Sequence, residues 1–406
     1  MHPSSIELGL DRVATVRDRL GLAPKFPVIT VGGTNGKGST CAMLESCLRH
    51  AGYKTGCYMS PHLLRYNERV RIGRVEADDG ALVEAFRRVE RARADSSLTY
   101  FEFGTLAAVL LFVDAHVDVA VLEVGLGGRL DAVNAFEPDC AVVVSVALDH
   151  VDYLGTTRES IGWEKAGIFR AGKPAIVAEA NPPVSLMQHA RAIAAELQLI
   201  DRDFGFAVGQ NQWRFWDQRG KRDALPIPAL RGTYQMANAS AALAALDSLR
   251  DRLPVDNGAI RRGLVEVELP ARFQVLPGRP MLVLDVAHNP HAAMRLAENL
   301  GRLDPRGRVV AVFAMLKDKD IEGVVAAVAR QVREWFIAPL PGPRGADLDR
   351  VKAALRSASI TAPVSGWNDV AGALLRARES AGPDDKILVF GSFYTVASVL
   401  RALNYD

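Results

Sequence analysis

The sequence predicts an α/β fold with two domains: a larger one built on a mainly parallel sheet, and a smaller C-terminal one. Short apolar runs rich in β-branched residues alternate with helix-period segments along most of the chain, a pattern typical of a parallel sheet covered by helices. The length of 406 residues makes two domains the default expectation. Proline and glycine also become frequent at 225–232 and 270–280, after which the alternation restarts.

The N-terminal part contains the first set of predicted elements. Its apolar runs predict strands at 27–31, 54–59, 117–124 and 140–147. Its helix-period segments predict helices at 39–50, 81–94 and 102–112, and an alanine-rich helix follows at 234–249.

The C-terminal part repeats the pattern on a smaller scale. Strands are predicted at 281–286, 308–313, 335–338 and 386–390, and helices beginning near residues 291, 321, 348 and 393. We place the boundary near Val275, which gives domains at 1–275 and 276–406.

Composition excludes several classes of partner. Lys and Arg number 49 against 47 Asp and Glu, so the net charge of +2 provides no basic surface for nucleic acid. The apolar runs at 106–113 and 119–122 are far shorter than the ~20 residues of a membrane-spanning helix, and the first twelve residues contain no apolar signal core.

The four cysteines lack CxxC spacing, which argues against a zinc site and against a set of disulfides. We expect a cytoplasmic protein, monomeric because no exposed apolar stripe is evident.

The strongest local signal is the segment FPVITVGGTNGKGSTCAML, an apolar strand that runs into a glycine-rich turn and then a helix. Four glycines within 32–38 allow backbone N–H groups to face an anion, and Lys37 and the helix N-terminus add positive charge. The spacing departs from GxxxxGK[ST], since Gly38 separates Lys37 from Ser39. An ordinary turn is the alternative, but a lysine flanked by glycines has little structural reason to exist. The segment therefore predicts a phosphate-binding loop.

Polar residues also stand at the ends of the next three predicted strands. The second strand ends at Ser60, the third carries Glu123, and the fourth ends just before His150. Because the carboxyl ends of parallel strands share one edge of a sheet, we expect these residues and Lys37 to meet around one nucleotide. A hydroxyl, a carboxylate and an imidazole are credible ligands for a hard divalent cation that triphosphate oxygens also hold.

Each of these three residues also has a structural alternative. Ser60 could be a turn residue before a proline, Glu123 a buried acid with a partner, and His150 a hydrogen-bonded core histidine. Glu123 fits its alternative least well, because an unpaired carboxylate within the apolar run VAVLEVG would be costly to bury. Together they predict a divalent-metal site.

Seven motifs along the chain carry a resemblance to a known family: GTNGKGS, SPHL with NERVR, LEVGLGGRLDAVN, ALDHVDYLG, ESIGWEKAGIFR, ARFQ and DVAHNPHA. In this order they resemble the folylpolyglutamate synthases, in bacteria the bifunctional dihydrofolate synthases of the Mur ligase superfamily. The resemblance extends from Ile6 to the final helix. It implies a P-loop ATPase domain hinged to a Rossmann-like domain that binds the amino acid. It also implies an ATP-dependent ligase that adds L-glutamate to dihydropteroate and to reduced folates.

The resemblance also implies roles for individual residues. ATP would contact Thr34, Asn35, Gly36, Lys37, Gly38, Ser39, Asn238, Arg272 and Asp285. Magnesium would be held by Ser60, Glu123 and His150, with a second ion on an N6-carboxylated Lys165. His288 follows a strand and could approach the nucleotide or the amino acid, so the expected catalytic residues are Lys37, Lys165, Arg272 and His288.

Lys165 and Ala271 can each be interpreted in two ways from the sequence. Lys165 on its own looks like a surface lysine paired with Glu164, which would contribute little; carboxylation would instead turn this cation into a carboxylate ligand. The family's usual Pro-Gly-Arg-Phe-Gln motif has Ala271 in the glycine position. If the backbone at residue 271 requires a positive φ, the alanine is strained there.

For the pterin substrate the resemblance implies three short segments: Ile6, Glu7 and Leu8; Thr99, Tyr100, Phe101 and Glu102; and Leu130, Asp131 and Ala132. Phe101 could stack on a flat heterocycle, although an aromatic residue at the start of an apolar helix more often lies in the core. The arginines Arg65, Arg69 and Arg71 could attract an anionic folate, but with Glu68 among them a solvated loop is equally compatible.

Two other functions stay open at this point. A Mur-type ligase acting on a UDP-linked precursor would share the same chemistry, but such enzymes place a nucleotide-sugar domain ahead of the phosphate loop. Only 31 residues precede Gly32, too few for that domain. The more distant alternative is a non-catalytic nucleotide switch or a partner-driven P-loop ATPase, whose hydrolysis would not respond to folate or glutamate.

Overall fold

A computed structural model of the protein describes residues 9–405, which form two compact units. Unit 1 contains the chain up to Ala229 together with Tyr234–Glu268, and unit 2 contains Leu230–Thr233 and the chain from Leu269 onward. The boundary expected at 275 falls inside the strand Gln274–Leu276, which pairs with a strand of the unit 2 sheet. The chain therefore enters unit 2 at Leu269, ahead of this strand and next to the proline- and glycine-rich stretch at 270–280.

Unit 1 combines helices with two sheets. Its α-helices within the described residues are α1 (Asp11–Arg19), α2 (Lys37–His50), α3 (Asp79–Arg93), α4 (Tyr100–Asp114), α5 (Val151–Leu154), α6 (Arg158–Ala166), α7 (Val184–Ala192), α8 (Tyr234–Ser248) and α9 (Asn257–Val265). Its strands there are β1 (Val28–Gly32), β2 (Thr55–Tyr58), β3 (Val70–Ile72), β4 (Val75–Glu76), β5 (Val119–Glu123), β6 (Cys140–Val143), β7 (Pro174–Val177), β8 (Glu196–Leu199), β9 (Phe204–Val208), β10 (Gln212–Asp217) and β11 (Gly220–Pro226). Short 3-10 helices span Tyr66–Arg69 and Ala132–Ala135.

The main sheet of unit 1 runs in the order β4-β3-β2-β5-β1-β6-β7-β8. From β2 to β8 every neighbouring pair is parallel, while β3 and β4 join antiparallel at one edge. The inner strands β1 and β5 are buried along their whole length, because they are continuous apolar runs that helices cover on both faces. The prediction of a mainly parallel sheet is confirmed.

A second, antiparallel sheet of unit 1 consists of β9, β10 and β11 within the described residues. The sequence pattern did not predict this sheet, because charged residues stand between the apolar residues of its strands. Trp213 and Phe215 are buried whereas Arg214 between them is exposed, as expected when alternate side chains of a strand face opposite sides. One face of this small sheet is therefore packed and the other carries the charges.

Unit 2 is a second α/β unit, as predicted. Its strands in the described region are β12 (Gln274–Leu276), β13 (Met281–Leu284), β14 (Val309–Phe313), β15 (Val332–Ile337), β16 (Val364–Gly366) and β17 (Lys386–Phe390), in the sheet order β12-β13-β17-β14-β15-β16. Only β12 is antiparallel to its neighbour. The helices are α10 (Pro290–Leu300), α11 (Ile321–Val328), α12 (Leu348–Ser357), α13 (Val370–Ser380) and α14 (Phe393–Ala402). Between residues 9 and 405 no helix combines the length and the apolarity needed to cross a bilayer.

Candidate active site

The phosphate loop connects β1 to α2, and its backbone depends on glycine. Gly36 has a φ of 88° and directly precedes the helix, which begins at Lys37 rather than at the predicted residue 39. A Cβ at Gly36 would lie 2.5 Å from Asn238 Oδ1 and 2.9 Å from Val144 Cγ1. Gly36 is therefore required both by its left-handed conformation and by the lack of space for a side chain.

Hydrogen bonds fix this loop to the segment that follows β6. Thr34 N donates to Ser145 O at 2.8 Å, and the Thr34 hydroxyl accepts from Ala147 N at 3.0 Å. Asn35 N donates to Ser145 Oγ at 2.9 Å, and that hydroxyl donates back to Asn35 O at 2.9 Å. Ser145 was missed by the sequence analysis, although a lone serine within the apolar run VVVSVA was a visible signal. The side chain of Thr34 thus has a structural role in holding the loop.

The charged and amide side chains around the loop lie close together. Lys37 Nζ donates to Gly33 O at 3.1 Å and to Thr34 O at 3.2 Å, so its ammonium group folds back over the loop. From α8, Gln235 Nε2 donates to Ser39 Oγ at 3.2 Å and Gln235 Oε1 accepts from Asn238 Nδ2 at 2.8 Å. The structure therefore brings Asn238 to the loop, as expected for a residue near the nucleotide.

The residues predicted to bind metal lie at the carboxyl edge of the main sheet. Strands β2, β5, β1 and β6 are neighbours and parallel, so the segments that follow them emerge side by side. Glu123 ends β5 and is buried, and its Oε2 accepts from Ser60 N at 3.1 Å. His150 precedes α5 with a φ of 52°, and its backbone N donates to Asp149 Oδ1 at 2.8 Å.

Among residues 9–405 no group of three or more His, Cys, Asp or Glu side chains could hold a metal ion. The predicted set includes only two such residues, Glu123 and His150. Its other members are a serine hydroxyl and a lysine that becomes a ligand only when carboxylated. A metal site built from this set would depend on a modified side chain and on ligand oxygens as well as on acidic residues.

Lys165 is buried on α6, and the interpretation as a surface lysine paired with Glu164 is wrong. The Glu164 carboxylate instead accepts from Arg129 Nη2 at 2.8 Å, while Lys165 is only 3% exposed. Burial, together with the positive charge of Lys37, lowers the pKa of Lys165 to about 7, although Asp149 and Asp131 partly offset these two effects. These interactions place Lys165 in one electrostatic cluster with the phosphate loop and the residues after β6.

The segment at the start of α4 has a clear local role. The Thr99 hydroxyl accepts from Glu102 N at 3.2 Å, and Glu102 Oε2 accepts from Thr99 N at 2.7 Å, so the two residues form a capping box. Glu102 Oε1 also pairs with Arg12 Nη2 at 2.9 Å. The Phe101 ring covers Gly125 and lies 5.7 Å from the Tyr58 ring, whereas Tyr100 is exposed.

The third predicted pterin segment is a turn that leads into the 3-10 helix Ala132–Ala135. Asp131 Oδ2 accepts from Leu126 N at 2.8 Å and Oδ1 accepts from Val133 N at 3.1 Å, and burial raises the pKa of Asp131 to about 7. Leu130 is half-buried and Ala132 is buried. The remaining segment, Ile6, Glu7 and Leu8, lies outside the described residues.

In unit 2 the Arg272 loop is fastened by Asp285. Asp285 Oδ2 accepts from Phe273 N at 2.8 Å and Oδ1 accepts from Ala287 N at 2.7 Å, while burial raises its pKa to about 6. The Arg272 guanidinium lies 4.9 Å from the centre of the Phe393 ring. His288 Nδ1 lies 2.9 Å from Val286 O, and its ring is 6.2 Å from that of Phe393. The structure thus brings Arg272, Asp285 and His288 to one end of the unit 2 sheet.

Ala271 has a φ of 61° and is fully buried, so the alanine occupies a left-handed conformation that favours glycine. We expect Ala271→Gly to stabilise unit 2 by about 1 kcal/mol, because the Cβ strain in this region costs roughly 1–2 kcal/mol. Urea unfolding monitored by a probe in unit 2 measures the change. Ala354→Gly, at a buried position inside α12, is the control and should lower the unfolding midpoint. A fall in the midpoint for Ala271→Gly would contradict the prediction.

Comparison with known proteins gives consistent matches along the chain. Residues 31–246 match the Mur ligase middle domain and residues 271–393 match the Mur ligase glutamate ligase domain. Over 405 residues the chain is 47% identical to the dihydrofolate synthase/folylpolyglutamate synthase of Escherichia coli (strain K12), covering 100% of this chain and 93% of that protein.

Solved structures agree with the sequence matches. E. coli FolC in complex with DHPP and ADP has a TM-score of 0.94 at 47% identity, covering 99% of this chain and 95% of that chain. A bifunctional folylpolyglutamate synthase/dihydrofolate synthase from Yersinia pestis c092, complexed with AMPPNP and Mn ion, has a TM-score of 0.92 at 47% identity, covering 100% and 95%. The chain belongs to the dihydrofolate synthase/folylpolyglutamate synthase family, the ATP-dependent folate ligases among the Mur ligases.

Proposed function

We propose that this chain adds L-glutamate both to dihydropteroate, forming dihydrofolate, and to reduced folates, extending their γ-linked tails. The observation that carries the proposal is the arrangement at the sheet edge of unit 1, where the phosphate loop, Glu123 and the buried Lys165 lie together. The ligands of similar structures agree with it, since one contains DHPP and ADP and another Mn, AMPPNP and L-glutamate.

The reaction needs an activated carboxylate, because an oxide ion is a poor leaving group. A carboxylate oxygen of the acceptor attacks the γ-phosphorus of ATP, ADP leaves, and an acyl phosphate forms. The amine of glutamate then attacks the acyl carbon, phosphate leaves, and the nitrogen loses a proton to give the amide. No covalent bond to the protein is required, so catalysis consists of positioning and charge stabilisation.

The loop residues have defined tasks in this scheme. The backbone N–H groups of 36–39, at the N-terminus of α2, bind the phosphate oxygens, while those of Thr34 and Asn35 hold the loop against Ser145. Lys37 exchanges its contacts with Gly33 O and Thr34 O for the transferring phosphoryl group, where its charge offsets the negative charge that builds up. Asn238 lies against Gly36 and so is placed to bind the nucleotide beside the loop.

The residues at the sheet edge fit a divalent metal, with magnesium as the ion we expect. Ser60, Glu123 and His150 would hold one ion and carboxylated Lys165 a second, and these ions would neutralise phosphate charge. Carboxylation of Lys165 is favoured by burial, because a neutral amine is the form that reacts with CO2. It would also replace a buried cation beside Lys37 with an anion, turning a repulsion into an attraction.

The other assignments stay predictions from the resemblance. They comprise the pterin contacts of Ile6–Leu8, 99–102 and 130–132, the nucleotide contacts of Arg272 and Asp285, and the approach of His288 to a substrate. Magnesium as the metal, a monomeric state, a cytoplasmic location and the lack of nucleic-acid and membrane partners are likewise predictions.

Phosphate release tests the proposal directly. The protein is incubated with ATP, Mg²⁺ and L-glutamate, and either dihydropteroate or tetrahydrofolate is added. We expect both acceptors to stimulate release, and we expect the stimulation to disappear when glutamate is omitted. Release that responds to neither acceptor would contradict the proposal, and stimulation by a UDP-linked cell-wall precursor would favour the alternative Mur-type ligase.

A further inference from the structure

Three arginines follow Ser60 in the loop between β2 and β3 and in β3 itself, and they differ in how their charge is balanced. Arg65 is exposed and pairs with Asp79 at 3.2 Å. Arg71 pairs with Glu45 through both Nε, at 3.2 Å, and Nη2. Arg69 is the most buried of the three at 8% exposure, yet no carboxylate among residues 9–405 pairs with it.

The contacts that Arg69 does make are to uncharged groups. Its Nε donates to His62 Nδ1 at 2.9 Å, a bond that requires an unprotonated ring nitrogen. Its guanidinium carbon lies 5.5 Å from the centre of the Tyr66 ring and 5.2 Å from that of Tyr100. These rings offer cation–π attraction but no negative charge. The Tyr58 phenol is a further hydrogen-bond partner, and it is likewise uncharged.

Neighbouring groups cannot supply the missing charge. The carboxylate of Glu68 is occupied by the backbone N–H groups of three residues, at 2.6, 2.6 and 2.7 Å. The phenol of Tyr58 lies beside Arg69, but burial raises the pKa of Tyr58 to about 12, so it stays neutral. A buried cation without a counter-charge is costly, which indicates that an anion completes this position when the protein works.

The backbone locates Arg69 close to the predicted reaction centre. Arg69 O accepts from Met59 N at 2.9 Å, and the next residue, Ser60, donates its N–H to Glu123. Neighbouring strands lie ~4.8 Å apart. The backbone of Arg69 is therefore about one strand spacing from Met59, the residue before Ser60, and its guanidinium lies beside Tyr100 of the segment predicted to bind the pterin.

We infer that Arg69 binds the α-carboxylate of the glutamate tail of a reduced folate while the γ-carboxylate of the same residue is phosphorylated. The inference rests on the proposed function. The two carboxyl carbons of a glutamate are joined through three carbons and stand roughly 5 Å apart by ordinary bond lengths, so a residue that binds the α-carboxylate acts close to the reacting γ-carboxylate. Dihydropteroate has no α-carboxylate, so Arg69 is a residue that distinguishes the two classes of acceptor.

The test compares acceptors as well as variants. In Arg69→Met we expect the ratio of kcat/KM for tetrahydrofolate to that for dihydropteroate to fall about 10- to 100-fold, the range for a hydrogen bond to a charged group. Arg65→Met, which removes the exposed arginine of the same loop, should leave the ratio at the wild-type value. Equal losses with both acceptors would show that Arg69 only supports the loop and would overturn the inference.

A second measurement uses the wild-type protein and so does not depend on how a variant folds. The α-amide of tetrahydrofolate lacks the charge that Arg69 binds, so it should be a poorer acceptor than tetrahydrofolate by a similar factor. In Arg69→Met the two acceptors should become equivalent. Equal turnover of both by the wild-type protein would overturn the inference. Activity with dihydropteroate alone would overturn it too, while leaving glutamate ligation itself intact.

Discussion

Lys165→Ala is expected to reduce ligation at least about 10²- to 10³-fold while leaving the fold intact, a loss typical of removing one group that stabilises transition-state charge. The reason is the position of Lys165, which is buried beside Lys37 near the phosphate loop and forms no ion pair with an acid among residues 9–405. Removing it deletes the carboxylate that would hold the second metal ion. The measurement is phosphate release with ATP, glutamate and dihydropteroate, alongside thermal unfolding of the variant.

Lys173→Ala is the matched control for this experiment. Lys173 lies in the same unit, but its side chain is 45% exposed and pairs with Asp139 at 3.4 Å, so its loss should change turnover little. Added formate or acetate should partly restore turnover to Lys165→Ala by supplying a carboxylate in the vacated space, and should not affect the control. Wild-type turnover in Lys165→Ala would remove Lys165 from the mechanism.

The same lysine gives a pH dependence whose sign follows from its pKa. Carboxylation consumes the neutral amine and releases a proton, and a pKa lowered to about 7 leaves a substantial neutral fraction near pH 7. The ¹³C carbamate signal of protein equilibrated with ¹³C-bicarbonate should therefore be small near pH 5 and increase through pH 7. A lysine with its ordinary pKa would respond only at much higher pH.

The fold was predictable where one pattern sufficed. Continuous apolar runs predicted the inner strands β1, β5 and β17 because these strands are buried on both faces. The antiparallel strands β9–β11 were missed, because strands that alternate buried and charged residues resemble polar loops. The membership of β12 in the unit 2 sheet was also not predictable, since it depends on pairing with β13 and local composition does not reveal that pairing.

The site was predictable as a set of residues at strand ends, but its energetics were not. The order of the strands places the segments carrying Ser60, Glu123 and His150 along one edge, and the motifs already indicated this. The sequence EKAG does not reveal whether Glu164 or Lys165 faces inward, since adjacent positions on a helix point in different directions and only packing decides between them. The unbalanced charge of Arg69 was also hidden, because Glu68 is its neighbour in sequence but bonds to the backbone instead.

Gly36→Ala is the second change with a large expected effect. The residue has a φ of 88°, a region that costs an alanine roughly 1–2 kcal/mol. The new Cβ would also lie 2.5 Å from Asn238 Oδ1 and 2.9 Å from Val144 Cγ1, so the loop or α8 must move. Overpacking of this kind typically costs a further 1–3 kcal/mol. We expect a lower unfolding midpoint and a kcat/KM for ATP reduced at least about tenfold.

Gly52→Ala is the control, since Gly52 has a φ of 95° but nothing within 4 Å of its Cβ position. This control carries the conformational cost without the clash, and it lies in the turn after α2, away from the phosphates. It should therefore lose stability and keep its kcat/KM for ATP. Equal losses of kcat/KM for ATP in the two variants would mean that reduced stability of unit 1, and not a change in the phosphate loop, lowers kcat/KM. A loss confined to Gly36→Ala would show that the nucleotide site depends on the local geometry of this loop, where the backbone is left-handed and the new side chain meets Asn238.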